Sequence, residues 1–269
     1  MMTNPNRRLF TACAVMLCAS FAFLTVAGCA PQTVGCKCGC GCNPLTPVKN
    51  PGNAAFYKTD GALDVGAAKE AYYAMMKAFG YPIPKFLKTD NFWVADFLQR
   101  DFENLGMGGV FWVNMKGKYG ETGAKEYKGD FKGQSFGYLG HDIYLLPGQV
   151  LPEHRHIGGS EGFGPKMESW HVRHGSVEFF GQIKGIDTDT LISEMPAAKR
   201  PYGFGEDWFN CKYVASRKAG GFYHLNDPEA WHFMRAGPNG AIVSEYATYH
   251  NHVEFSKPSM KFACSEAKK

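Results

Sequence analysis

Beyond Gly137 the chain is cut into strand-sized pieces, and this texture limits the fold more than any other feature. HDIYLLPG, VLPEHRH, ESWHVRHG, SVEFFGQI, GFYHLN, EAWHFMRA and AIVSEYATYH each carry enough apolar and aromatic residues for one short strand. Glycine, proline or asparagine separates most of them, as tight turns require. Short strands at this spacing predict an all-β barrel or sandwich. No unit of roughly 20 to 50 residues repeats, which excludes a propeller or a solenoid.

The region before Gly137 reads differently. DVGAAKEAYYAMMKAF, from Asp64 to Phe79, has apolar residues three and four apart and no proline. That period predicts an amphipathic helix, stopped by Gly80 and the prolines of YPIPKF. Its Tyr/Met stripe suits packing against a sheet. FWVADFLQRDFENLG fits neither helix nor strand cleanly, whereas GGVFWVNMKG reads as a strand. The expected organisation is an N-terminal helical segment with strands, residues 61–136, packed on a barrel of residues 137–262.

The first residues are an address rather than fold. Arg7 and Arg8 precede an apolar run from Leu9 to Val26, which closes in Val26-Ala27-Gly28-Cys29. This predicts a lipoprotein signal peptide, residues 1–28, with Cys29 lipidated as the mature N-terminus. The mature chain is then expected outside the cytoplasm, touching the membrane only through its lipid anchor. Residues 29–60 lack apolar periodicity and read as a Cys/Gly/Pro-rich linker. Cys36, Cys38, Cys40 and Cys42 alternate too closely for paired zinc thiolates and are read as tether thiols, oxidised or acylated. Cys211 and Cys264 form a candidate disulfide that spacing alone leaves open. The formal charge is only +4, and no basic run interleaves with aromatics, which excludes a nucleic-acid partner.

Four of the nine histidines fall in PEHRHIGGSEGFGPKMESWHVRHG, residues 152–175. Strand side chains alternate faces, so His154 and His156 point the same way with Arg155 opposite. Two imidazoles on one face can grip a single ion. His171 and His174 are three apart and face opposite ways. Glu168 shares a face with Trp170 and Val172, and Lys166 shares the parity of Glu168. His232, after a proline turn in PEAWHF, fits a ligand from a strand that returns later. Trp170, Trp231, Phe233, His224, His250 and His252 are open to two readings, as packing residues or as the lining of a pocket.

Gly148, HRH, Glu168 and Gly175 together resemble the first motif of the cupins, which are small jelly-roll β-barrels, and PEAWHF resembles their second. WVADFLQRDFENLG, GQVLPEHRH, Lys166-Met167-Glu168 and SEYAT resemble, more narrowly, the bacterial D-lyxose isomerase family. The resemblance runs from about Ala67 to about Phe255. It implies a mainly β, cupin-type barrel with an N-terminal helical segment, and a metal held by His154, His156, Glu168 and His232. It implies Mn²⁺ as the ion, with Fe²⁺ and Zn²⁺ also suited, a small sugar as substrate, and a homodimer by analogy. Lys166 becomes a candidate acid or electrostatic clamp, and Glu245 of SEYAT a candidate base. Several positions depart from the family. The glycine-rich gap between His156 and Glu168 is long, Ser169 replaces a second acid, and His141 stands where lysine is usual. IDTDTLISEMPAAKRPYGFGEDWFNCKY has no clear counterpart. The expected activity is aldose–ketose isomerisation; the alternatives are an iron-dependent cupin dioxygenase and a non-catalytic sugar-binding lipoprotein.

Overall fold

The computed structural model describes residues 47–115, 137–158, 165–185, 189–249 and 252–262, all within one compact unit, Asn43–Lys269. The signal peptide, Cys29, the four alternating cysteines, His250 and Cys264 lie outside the described residues. Within them the chain forms a short helix α1 (Asn53–Phe56), a longer helix α2 (Val65–Ala78) and ten strands. The strands are β1 (Trp93–Ala95), β2 (Met107–Met115), β3 (Tyr138–Leu145), β4 (Val150–Arg155) and β5 (Glu168–Gly181), then β6 (Thr190–Leu191), β7 (Tyr213–Lys218), β8 (Phe222–His224), β9 (His232–Thr248) and β10 (Glu254–Phe255). No helix among the described residues is long and apolar enough to cross a membrane.

All pairings between these strands are antiparallel, and two strands are shared by two sheets. The later part of β9 pairs with β3, and β3 leads on through β2 to β1. The early part of β9 pairs with β4, which carries β10 at its edge. β5 runs beside β9 throughout, meeting β8 with its first half and β7, then β6, with its second. The first sheet is therefore β1-β2-β3-β9-β5-β8 and the second β10-β4-β9-β5-β7-β6. Strands that pass from one sheet to the other at a bend close the sandwich into a barrel. This is the cupin-type jelly roll.

The bend corrects the expectation of separate short strands. Gly175 and Gly237–Gly240 read as turns, but both strands continue through them. The register between β5 and β9 slips from Gly175↔Ala241 to Val177↔Ala236. Gly175 and Gly240 both adopt left-handed φ, +75° and +79°, and a Cβ on Gly175 would sit 2.0 Å from the Gly240 carbonyl oxygen. Here glycine marks two backbones in close approach rather than a chain reversal. Pro152 lies two residues inside β4, where the pairing with β9 is irregular.

Helix α2 matches its sequence signal. Asp64 Oδ1 accepts the Ala67 N–H at 3.0 Å as an N-cap, and Gly80 ends the helix at φ +66° with the Tyr81 amide bonded to the Met76 carbonyl. Tyr72, Met75 and Met76 pack on Val110, Tyr144 and Ile242, covering part of the first sheet's outer face. Residues 50–60, assigned to the linker by composition, belong to this layer. Phe56 is fully buried, and Asn50 donates to the carbonyls of Glu103 and Pro147. The segment without a family counterpart covers the second sheet: Ile192, Met195, Phe204 and Phe209 pack around Phe180 and Phe233. Between the sheets lies the barrel core, with Trp93, Ile143 and Trp170 from one side and Val177, Phe179 and Met234 from the other. Among the described residues, a cluster of polar side chains enters this core.

Candidate functional site

Three histidines arrive from the second sheet. His154 and His232 are direct cross-strand partners on β4 and β9, with ring centroids 4.4 Å apart. His156, just beyond β4, lies 5.0 Å from the His154 ring. One ligand nitrogen from each lies within 4.8 Å of the others. Each Nδ1 meets a backbone carbonyl: His154 that of Pro152 at 2.7 Å, His156 that of His252 at 2.6 Å, and His232 that of Ala230 at 2.9 Å. A carbonyl can only accept, so each Nδ1 carries the proton and each Nε2 lone pair is turned inward.

The first sheet supplies the acids. Glu168, the first residue of β5, places Oε1 3.4 Å from His232 Nε2 and 3.7 Å from His156 Nε2. Lys166 Nζ lies 2.9 Å from Glu168 Oε2 and also pairs with Glu245 Oε1. Glu245 Oε2 in turn meets His141 Nδ1 at 2.8 Å, across the β3–β9 pair. His154, His156, His232, Glu168, Lys166 and Glu245, all singled out in the sequence, are thus brought together and buried. His141 was visible there only as a departure from the family pattern. Its direct pairing with Glu245 depends on strand register, which the sequence does not display.

Burial dominates the electrostatics. It pushes His154 down to about 4 and holds His156 and His232 well below the usual imidazole range, so all three rings are neutral. Burial also raises Glu168 well above the usual carboxylate range, offset only in part by Lys166. Glu245 goes the other way: burial alone would raise it, but Lys166 and the His141 hydrogen bond hold it low. Burial would lower Lys166, but Glu168 and Glu245 outweigh that and keep it an ammonium. Two atoms show what the cluster lacks. Among the described residues, His232 Nε2 and Glu168 Oε1 are buried with no hydrogen-bond partner. An inward lone pair beside an unpaired carboxylate oxygen fits a divalent cation, which would also reverse the upward pressure on Glu168.

The other conspicuous residues sit elsewhere. His171 lies on the outer face beside Phe222. His174 stacks on Phe79 at the end of α2, and His224 shares a hydrogen bond with Ser169 at 2.7 Å. Trp170 lines the barrel 5.3 Å from His232, Trp231 lies under the Arg155 guanidinium, and Phe233 stacks on Phe180 in the outer layer. Cys211 is a buried free thiol, pushed up by burial and by Glu153. Glu153 escaped notice in the sequence. It faces away from the histidines and holds the outer segment through the amides of Asn210 and Cys211.

With this geometry in place, relatives become informative. A D-lyxose/D-mannose isomerase from Thermosediminibacter oceani is 28% identical over 197 residues, covering 72% of this chain and 90% of that protein. The chain is similar to sugar isomerases. A D-lyxose ketol-isomerase from a Thermofilum species is 30% identical over 113 residues, 41% of this chain and 56% of that one. Among solved structures, L-ribose isomerase of Acinetobacter sp. DL28 in complex with L-ribose superposes with a TM-score of 0.49 at 17% identity, covering 77% of this chain and 95% of that one. No family model matches the chain.

Proposed function

We propose that this protein is a metal-dependent aldose–ketose isomerase acting on a small sugar of the D-lyxose or D-mannose type. The observation that carries this reading is Lys166, buried between Glu168 and Glu245 beside three neutral imidazoles. His154, His156, His232 and Glu168 would hold the ion, and this donor set suits Mn²⁺, with Fe²⁺ and Zn²⁺ as competitors. When bound, the ion supplies Lewis-acid polarisation of the sugar carbonyl.

The remaining chemistry belongs to side chains. Moving the carbonyl from C1 to C2 requires one proton to pass from C2 to C1 and a second to pass from the C2 hydroxyl to the C1 oxygen. Glu245, kept ionised by Lys166 and His141, takes the C2 proton and returns it to C1. The Lys166 ammonium stabilises negative charge developing on the sugar oxygens, and its two carboxylate partners fix its position beforehand. His141, bonded to the second oxygen of Glu245, orients the carboxylate that works as base.

Incubation of manganese-loaded protein with aldoses and ketoses in D₂O tests this. Deuterium at C2 of the aldose, abolished by chelation and by His154→Ala, is the expected result. No exchange with any sugar, together with oxygen consumption on another small substrate, would move the protein to the oxygenase reading. The lipobox supports a second proposal, that Cys29 is acylated and tethers the enzyme outside the cytoplasm. Cys29→Ala is expected to abolish palmitate incorporation; unchanged labelling would reject the anchor.

A further inference from the structure

Two polar atoms inside the barrel have no role in that chemistry. Trp93 Nε1 and His141 Nε2 are buried without a hydrogen-bond partner among the described residues, in residues 5% and 6% exposed. Their rings are stacked, with centroids 5.4 Å apart and planes at 24°. Phe111, itself partly exposed, lies 4.6 Å from His141 and 5.6 Å from Trp93, so the group reaches toward solvent. Gly109 makes the arrangement possible. It pairs with Trp93 across β1 and β2, and a Cβ there would come within 2.3 Å of the indole and 2.7 Å of His141 Nε2.

Leaving a buried N–H and a buried ring nitrogen unbonded is costly, so such atoms point to a ligand that bonds them. His141 Nδ1 donates to the Glu245 carboxylate, so in the neutral ring Nε2 is an acceptor. Trp93 Nε1 can only donate. A donor and an acceptor on two stacked rings match hydroxyl groups, which both accept and donate. His141 and Lys166 meet different oxygens of Glu245. A sugar whose C1 and C2 face Glu245 and Lys166 has its remaining hydroxyls to place at the stacked rings.

We propose that Trp93 and His141 form a hydroxyl subsite that binds the sugar chain beyond its reacting carbons and selects for a hydroxyl at that position. The subsite deepens the isomerase reading and takes from it the identity of the ligand's other end.

Calorimetric binding to manganese-loaded protein tests it, with D-lyxose, D-mannose, their alditols and singly deoxygenated alditols as probes. Alditols have no carbonyl and cannot turn over, so binding is read apart from catalysis. Wild-type protein is expected to bind at least one deoxy alditol about tenfold more weakly than its parent. Trp93→Phe keeps the ring and removes the donor. It should weaken the parent by about tenfold and shrink the parent-to-deoxy ratio to about one. If thermal melting shows that Trp93→Phe does not fold, His141→Gln is expected to shrink the same ratio. An unchanged ratio in the folded variant, or no binding of any probe to wild type, overturns the subsite and leaves both atoms to water. Alditol binding with a normal ratio but no turnover of any aldose would instead sink the isomerase reading and leave the subsite standing.

Discussion

Glu153 and Glu168 are both buried carboxylates, 4% and 2% exposed, and they face opposite sides of the barrel wall. Glu153 receives the Asn210 amide at 3.0 and 3.1 Å, the Cys211 amide at 2.7 Å and the Asn210 side chain at 3.3 Å. Both of its oxygens are satisfied by groups that cannot leave. Glu168 spends one oxygen on Lys166 and leaves the other unbonded beside two imidazoles. A buried acid with every lone pair met holds structure together, whereas one left half-met marks where something must bind.

Substituting each acid should separate the two roles. Glu168→Gln carries the largest effect: metal affinity is expected to fall by roughly a hundredfold or more and turnover by about a thousandfold. The metal-free variant should melt no lower than wild type, because the change removes a buried charge that burial already disfavours. Metal content by mass spectrometry and a melting curve check both halves. Glu153→Ala should do the reverse. It strands the amides of Asn210 and Cys211, costing about 3 kcal/mol in denaturant unfolding, while turnover per folded molecule stays at the wild-type level.

The contrast between the two acids also explains what the sequence could show. HRH was legible because a period of two fixes both imidazoles on one face, whatever their partners. Helix α2 was legible because its cap, stripe and stop are all local. Glu153 was not, because its partners lie 57 and 58 residues away in a segment with neither strand nor helix period. The corner at Gly175 and Gly240 misled for the same reason. Each glycine reads as a turn alone, and only their approach across two strands shows that the chain continues. Phe97, Leu98 and Arg100 take left-handed φ of +53° to +56° without being glycine, and no residue type announced it. Trp93 and His141 lay in view, but the stacking of their rings depends on a register that the sequence does not carry.

The ligand side of the comparison also has a pH axis. Burial keeps His154, His156 and His232 neutral, with His154 down at about 4, while the same rings in an unfolded chain titrate near 6.5. Between those values the unfolded chain binds more protons than the native one. Stability of the metal-free protein should therefore be full above about 6.5 and decline as pH falls toward 4. Excess Mn²⁺ competes with these protons and should move the decline to lower pH. Urea midpoints across this range, with and without metal, measure it. A midpoint that stays flat from pH 7 to pH 4 in chelator would mean the three rings are not buried as neutral ligands.

The smallest expected effect sharpens the comparison most, because it comes from the residue next to His141. Asp142 points to the outer face, where its carboxylate accepts from Tyr81 at 2.9 Å, Trp112 Nε1 at 2.8 Å and Ser244 at 2.5 Å. Like Glu153, it is buried and fully met. Asp142→Asn keeps the shape, and its NH₂ can donate to Ser244 Oγ, but the bonds from Tyr81 and Trp112 lose their charged acceptor, at a cost of roughly 1 kcal/mol. Melting should drop by a few degrees, while metal affinity and turnover stay unchanged. If Asp142→Asn instead lost metal as Glu168→Gln does, strand parity would not be what divides structure from site. The two acids would then differ only in degree, and an unmet oxygen would no longer mark the ligand.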